Sequence, residues 1–76
     1  MVLAYIMVKA NTGDADRLLD EVKTIEGVQS AHIVAGDVDL IVKVSVDGPE
    51  DVKNVAANEM QTISGIEDTE TYLAMD

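Results

Sequence analysis

Gly36-Asp37-Val38-Asp39 is the stretch of this chain best equipped for chemistry. A glycine at a chain reversal leaves backbone N–H and C=O groups open to an incoming ligand. A carboxylate close by accepts hydrogen bonds from an ammonium group. Together these complement the two ends of a zwitterionic amino acid: N–H donors for its carboxylate, an Asp for its amine. The same four residues also read as a plain hairpin turn with solvated acids. Asp37 and Asp39 flank Val38 and would point to one side of a strand. A hard cation wants about six oxygens or more, waters included, so no metal site is expected from this pair.

The rest of the inventory is thin. The chain has one His and no Cys. Without Cys there is no disulfide staple and no thiolate metal site. A Gly-rich phosphate loop is missing too, and no cofactor is expected. His32 falls mid-strand, in register with Val28, Ser30 and Val34, where a lone His reads as a packed or interface residue. Tyr5 and Tyr72 are the only aromatic side chains.

Fifteen acids stand against five Lys and Arg, a net charge of −10. Lys9, Arg17, Lys23, Lys43 and Lys53 are scattered, whereas a phosphate backbone is bound through clustered cations. Direct nucleic-acid binding is therefore not expected. The acids spread over loops and helix faces, as on a solvated surface. Few Lys, no Phe and no Trp fit adaptation to high salt, where screening suppresses self-repulsion. No run approaches the roughly 18 apolar residues of a membrane span. Met1-Val2-Leu3 opens straight into a strand without a basic leader. A soluble cytoplasmic chain without a targeting peptide is the expectation.

The elements that would position these residues follow from a repeat. Lys23-Thr24-Ile25-Glu26-Gly27-Val28 returns at half the chain length as Gln61-Thr62-Ile63-Ser64-Gly65-Ile66. Val2, Ala4, Ile6 and Val8 return as Leu40, Val42, Val44 and Val46. Leu18 and Val22 return as Ala56 and Met60. The unit reads strand, helix, Gly turn, strand. Two units in tandem predict βαββαβ, an α+β ferredoxin-like fold with a four-stranded antiparallel sheet and two helices on one face.

In detail, Val2 to Ala10 is apolar at most positions, which predicts a central strand covered on both sides. Thr12 or Asp14 can cap a helix carrying Ala15, Leu18, Leu19, Val22 and Ile25 on one face. Gly27 supplies its left-handed stop. Val28–Ala35 and Val38–Val46 are strands joined by a tight turn with Gly36 first, a position that favours positive φ. The third strand is placed beside the first. Pro49 opens a second helix with Val52, Val55, Ala56 and Met60 buried, and Gly65 stops it. Ile66–Met75 is a polar edge strand. Residues 1–76 read as one domain. At this length a chain buries only roughly 60% of its unfolded surface, so self-association is an expected source of stability.

The stretch Val28 to Val44, an apolar strand running into a Gly-x-x-Asp hairpin and then an apolar strand, resembles the effector-sensing RAM domain of Lrp/AsnC transcription regulators. Ile66-Glu67-Asp68-Thr69-Glu70-Thr71-Tyr72-Leu73 is similar to that family's last strand, with its Thr-x-Thr element. Ala35 stands where the family often has Thr. The chain begins at the first sensing strand, so it looks like a stand-alone sensing domain without the helix-turn-helix. The resemblance implies dimers that associate further, even into rings, with the effector between dimers. Carried over, it nominates Gly36 and Asp39, with Asp37 and Val38 between them, and Thr69 and Thr71 on the last strand.

Three functions stay in view. The first is a sensor for an amino acid or similar metabolite, co-assembling with a full-length Lrp/AsnC regulator. The second is a pure oligomerisation domain. The third is a small dimeric ferredoxin-like enzyme, which would need a polar cleft between sheet and helices lined by His32 and a Tyr.

Overall fold

Ala4, Ile6 and Val8 alternate along the first strand, and all three are fully buried. Their partners across the sheet, Val44, Val42 and Leu40, are fully buried too. Period-two burial on two adjacent strands fixes one sheet face as the core face. The computed structural model describes residues 1–11 and 13–76. Its order is β1 (Val2–Ala10), α1 (Ala15–Lys23), β2 (Val28–Ile33), β3 (Leu40–Val46), α2 (Pro49–Lys53) and β4 (Ile66–Leu73). The strands lie in the order β2-β3-β1-β4, all pairs antiparallel. This is the ferredoxin-like βαββαβ plan, with β1 and β3 central as the repeat implied.

Leu18 and Val22 of α1 and Val52, Val55, Ala56 and Met60 of the second helical segment close over the core face. Gly27 and Gly65, the repeat-related turn glycines, alone take positive φ among the described residues, at 98° and 104°. Gly27 is needed for space as well. A Cβ there would lie 2.9 Å from Val46 Cγ1.

Several local expectations are corrected. Strands β2 and β3 stop short of the apolar runs, so the tight turn becomes a six-residue loop, 34–39, and β4 ends at Leu73 rather than Met75. Gly36 does not have positive φ. The loop is long enough to reverse without it. Asp14 occupies the N-cap, but its carboxylate pairs with Arg17 rather than capping the helix. Thr12 lies outside the described residues. The second helix is not uniform: α2 runs into a π-helical stretch, Asn54–Glu59, and a 3₁₀ turn, Met60–Thr62. A register shift between Val28 and Ser30 rotates the start of β2. Val28 therefore turns to the core face, opposite Val44, while Ser30 and His32 turn to the other face.

That other face is open in the single chain. Leu3, Tyr5, Met7, Ile41 and Lys43 lie on it half-buried, so β1 is covered on one side only. Among the described residues, no helix is long and apolar enough to cross a membrane.

Candidate functional site

The loop 34–39 is built from both ends. Val34 N–H donates to the Asp39 carbonyl at 2.9 Å, closing its base. Asp39 N–H donates to the Val8 carbonyl at 2.9 Å, tying the loop to β1. β3 begins only at Leu40, opposite Val8, so Ala10 lies beyond the backbone ladder on that side. The Asp39 side chain stands in: its Oδ2 accepts the Ala10 N–H at 2.8 Å. A carboxylate accepting a part-buried backbone N–H is a charge-assisted bond. Asp39 is therefore more than a solvated strand start. It braces the hairpin against β1 and keeps one carboxylate oxygen, Oδ1, for other partners.

Gly36 and Asp37 are exposed, and Val38 and Asp39 are half-buried. No atom outside its chain neighbours lies within 4 Å of where a Gly36 side chain would begin. A ligand can approach this backbone without obstruction. Thr69 and Thr71 sit on β4, opposite Val8 and Ile6. β1 stands between them and β3, so one chain does not bring the Thr pair and the hairpin into one pocket. Thr69 Oγ1 accepts a hydrogen bond from Gln61 Nε2 at 3.3 Å, and Thr71 is exposed.

Two clefts lie away from this loop. One of 680 Å³ opens between the Gly27 turn, the end of β3 and α2, at the opposite end of the sheet from the hairpin. It is lined by Glu26, Asp47, Asp51 and Glu59 among others. Asp51 there accepts the Gly48 N–H at 3.2 Å, in the first turn of α2. A second, of 450 Å³, lies around Leu3, Lys43 and Ser45. Neither is lined by residues 34–39.

The interior between sheet and helices is apolar, with no buried polar side chain among the described residues. His32, Tyr5 and Tyr72 all face the open side. Tyr72 O–H donates to the Glu70 carboxylate, and that bond, with the charge beside it, holds the phenol above its ordinary pKa. The cleft that a ferredoxin-like enzyme would need is therefore not formed from these side chains. The Ala10–Asp39 brace is not legible in the sequence, because nothing local marks a contact 29 residues apart.

The profile of the Lrp/AsnC ligand binding domain matches residues 3–76. An uncharacterized HTH-type transcriptional regulator of Pyrococcus abyssi is 29% identical over 76 residues, covering 96% of this chain and 51% of its own length. The chain thus spans about half the length of that relative. A Thermus thermophilus protein of known crystal structure superposes with a TM-score of 0.94 at 24% identity, over 100% of this chain and 95% of that one. A Neisseria meningitidis transcriptional regulator, solved as its L-Met complex, shares the fold with a TM-score of 0.86 at 16% identity, over 99% of this chain and 50% of that one.

Proposed function

The chain belongs to the Lrp/AsnC ligand-binding domain family, and on that premise we propose that it is a sensing and assembly module which binds an amino acid at the Gly36–Asp39 hairpin. The observation that carries this reading is the hairpin's construction. Its backbone is unobstructed at Gly36 and held in place by Asp39. N–H groups of the loop would take the ligand carboxylate. The exposed Asp37 carboxylate and the second Asp39 oxygen would take its ammonium group. The L-Met complex of the Neisseria relative supports an amino acid as the ligand class.

One chain offers only an open loop, so a second copy would have to close the site. Thr69 and Thr71 are candidates to reach it from a neighbouring copy. The chain would then act by linkage. A ligand held between copies favours that assembly by its differential affinity for it, and no more. Residues 1–76 form one sensing domain in this reading. Co-assembly with a full-length regulator would carry the signal to DNA.

The test is calorimetric titration of the twenty amino acids. One of them should bind below millimolar, and Gly36→Val should abolish that binding without lowering the melting temperature. If none binds, the chain is an assembly domain alone.

A further inference from the structure

The hairpin holds more negative charge than one α-ammonium group calls for. Asp39 is held at three points. Its N–H donates to the Val8 carbonyl, its own carbonyl accepts the Val34 N–H, and its Oδ2 accepts the Ala10 N–H. One oxygen of a half-buried, braced carboxylate is left over. Asp37, two residues earlier, is exposed and makes no hydrogen bond or ion pair among the described residues. No cation of the chain answers either acid, since both ion pairs among the described residues belong to Arg17. Lys9 comes between the two β1 residues that bond Asp39, but its partner across β4 is Asp68, which offsets its charge. Apolar surface lies in the same loop and at its foot. Val38 is half-buried between the two acids, Ala35 is exposed, and Ile33, which closes β2, is 43% exposed.

We infer that the hairpin selects an amino acid with a cationic side chain, such as lysine or arginine, and that Asp37 is the residue that selects it. The inference rests on the amino-acid binding proposed above and adds the side-chain class. The two acids suit different groups. Every amino acid carries its ammonium group at a set place relative to its carboxylate, so the braced Asp39 suits it. Side chains differ in reach, and the unbraced Asp37 can follow them. Charge counting gives the same order. With both acids ionised the hairpin bears −2, on a chain of net charge −10; a zwitterion with a neutral side chain leaves it at −2, a dicarboxylic amino acid takes it to −3, and lysine or arginine brings it to −1. A wholly apolar side chain resting on Val38 shields Asp37 from water and gives it no partner, which costs affinity. The methylene stem of lysine covers the same apolar surface while its ammonium group stays at the rim beside Asp37, as long cationic side chains do at protein surfaces. Selectivity is then a difference: one ligand class supplies the partner that Asp37 lacks, and the others strand it.

The test uses ligand pairs that differ only at the side-chain tip: lysine against norleucine, which lacks the side-chain ammonium group, and arginine against citrulline, its neutral urea analogue. Calorimetric titration at low salt should give the cationic member of at least one pair an affinity about fivefold or more above its neutral partner, the range of a well-placed ion pair. Asp37→Asn should bring that ratio close to one by weakening the cationic member. Any cation gains something from so acidic a chain, so Glu50→Gln is the control. It removes the same single charge in the first turn of α2, at the other end of the sheet, and should leave the ratio intact. Circular dichroism melts confirm that each variant is folded. Neutral members that bind as tightly as their cationic partners, or a ratio that Asp37→Asn leaves standing, overturn the inference and leave amino-acid binding at the hairpin in place. Equal losses in Asp37→Asn and Glu50→Gln overturn it too, because the preference then belongs to the field of the whole chain. A chain that binds no amino acid removes the hairpin reading and this one with it.

Discussion

Asp39 has two separable roles, and two substitutions pull them apart. Its Oδ2 accepts the Ala10 N–H at 2.8 Å in a part-buried position, where β3 offers that group no backbone acceptor. Asp39→Ala leaves the N–H unsatisfied. Such a group costs about 1–3 kcal/mol. On a domain of this size each kcal/mol lowers the melting temperature by about 4–8 °C. Asp39→Asn keeps a carbonyl oxygen to accept the same N–H and removes only the charge. Its melting temperature should fall by less than half as much. The order reverses for the ligand. Losing the charge opposite an ammonium group costs roughly 1.5–3 kcal/mol, or about ten- to a hundredfold in affinity, even where the fold is intact. Thermal melts followed by circular dichroism and calorimetry with the best-binding amino acid check the two effects separately. An Asp39→Ala protein that melts with the wild type would show that the brace carries nothing. An Asp39→Asn protein with undiminished affinity would place the ammonium partner elsewhere.

Two glycines make a matched pair. Gly27→Ala should destabilise by about 1–3 kcal/mol, since φ is positive and its Cβ would press on Val46, whereas Gly36→Ala should leave the melting temperature unchanged or slightly raised. Spectrophotometric titration should show Tyr72 ionising above the ordinary tyrosine range, and Glu70→Gln should bring it back down. Because the folded phenol holds its proton more tightly, this pair contributes stability below the ordinary tyrosine pKa and loses it as pH rises through the folded value; a melt series that gained stability across that window would contradict the assignment. Stability should climb from low to molar KCl, because fifteen acids on 76 residues repel one another until screened; a flat or falling series of melting temperatures refutes that.

Much of this molecule is written in short-range pattern. Alternation of Ala4, Ile6 and Val8, and again of Leu40, Val42 and Val44, is enough to name two strands and their core face, because side chains on a strand alternate strictly. The spacing of Val52, Val55, Ala56 and Met60 marks the inward stripe of a helix, and it survives the π-helical stretch that the sequence does not announce. Gly27 and Gly65 recur at matching places because each unit must turn left-handed after its helix. The nomination of the Gly36–Asp39 hairpin came from residue type and resemblance. Its geometry did not, since loop length depends on where β2 and β3 stop pairing. Tertiary structure alone decided three things. A register shift in β2 sent His32 to the open face and Val28 to the core. The overhang of β1 beyond β3 left Ala10 in need of an acceptor and gave the Asp39 carboxylate its place. The strand order put Lys43 and His32 on one half of a sheet face and Glu70 and Asp68 on the other. Each depends on which distant segments lie side by side. Local propensity carries no information about that, because the energy that decides it belongs to the whole sheet.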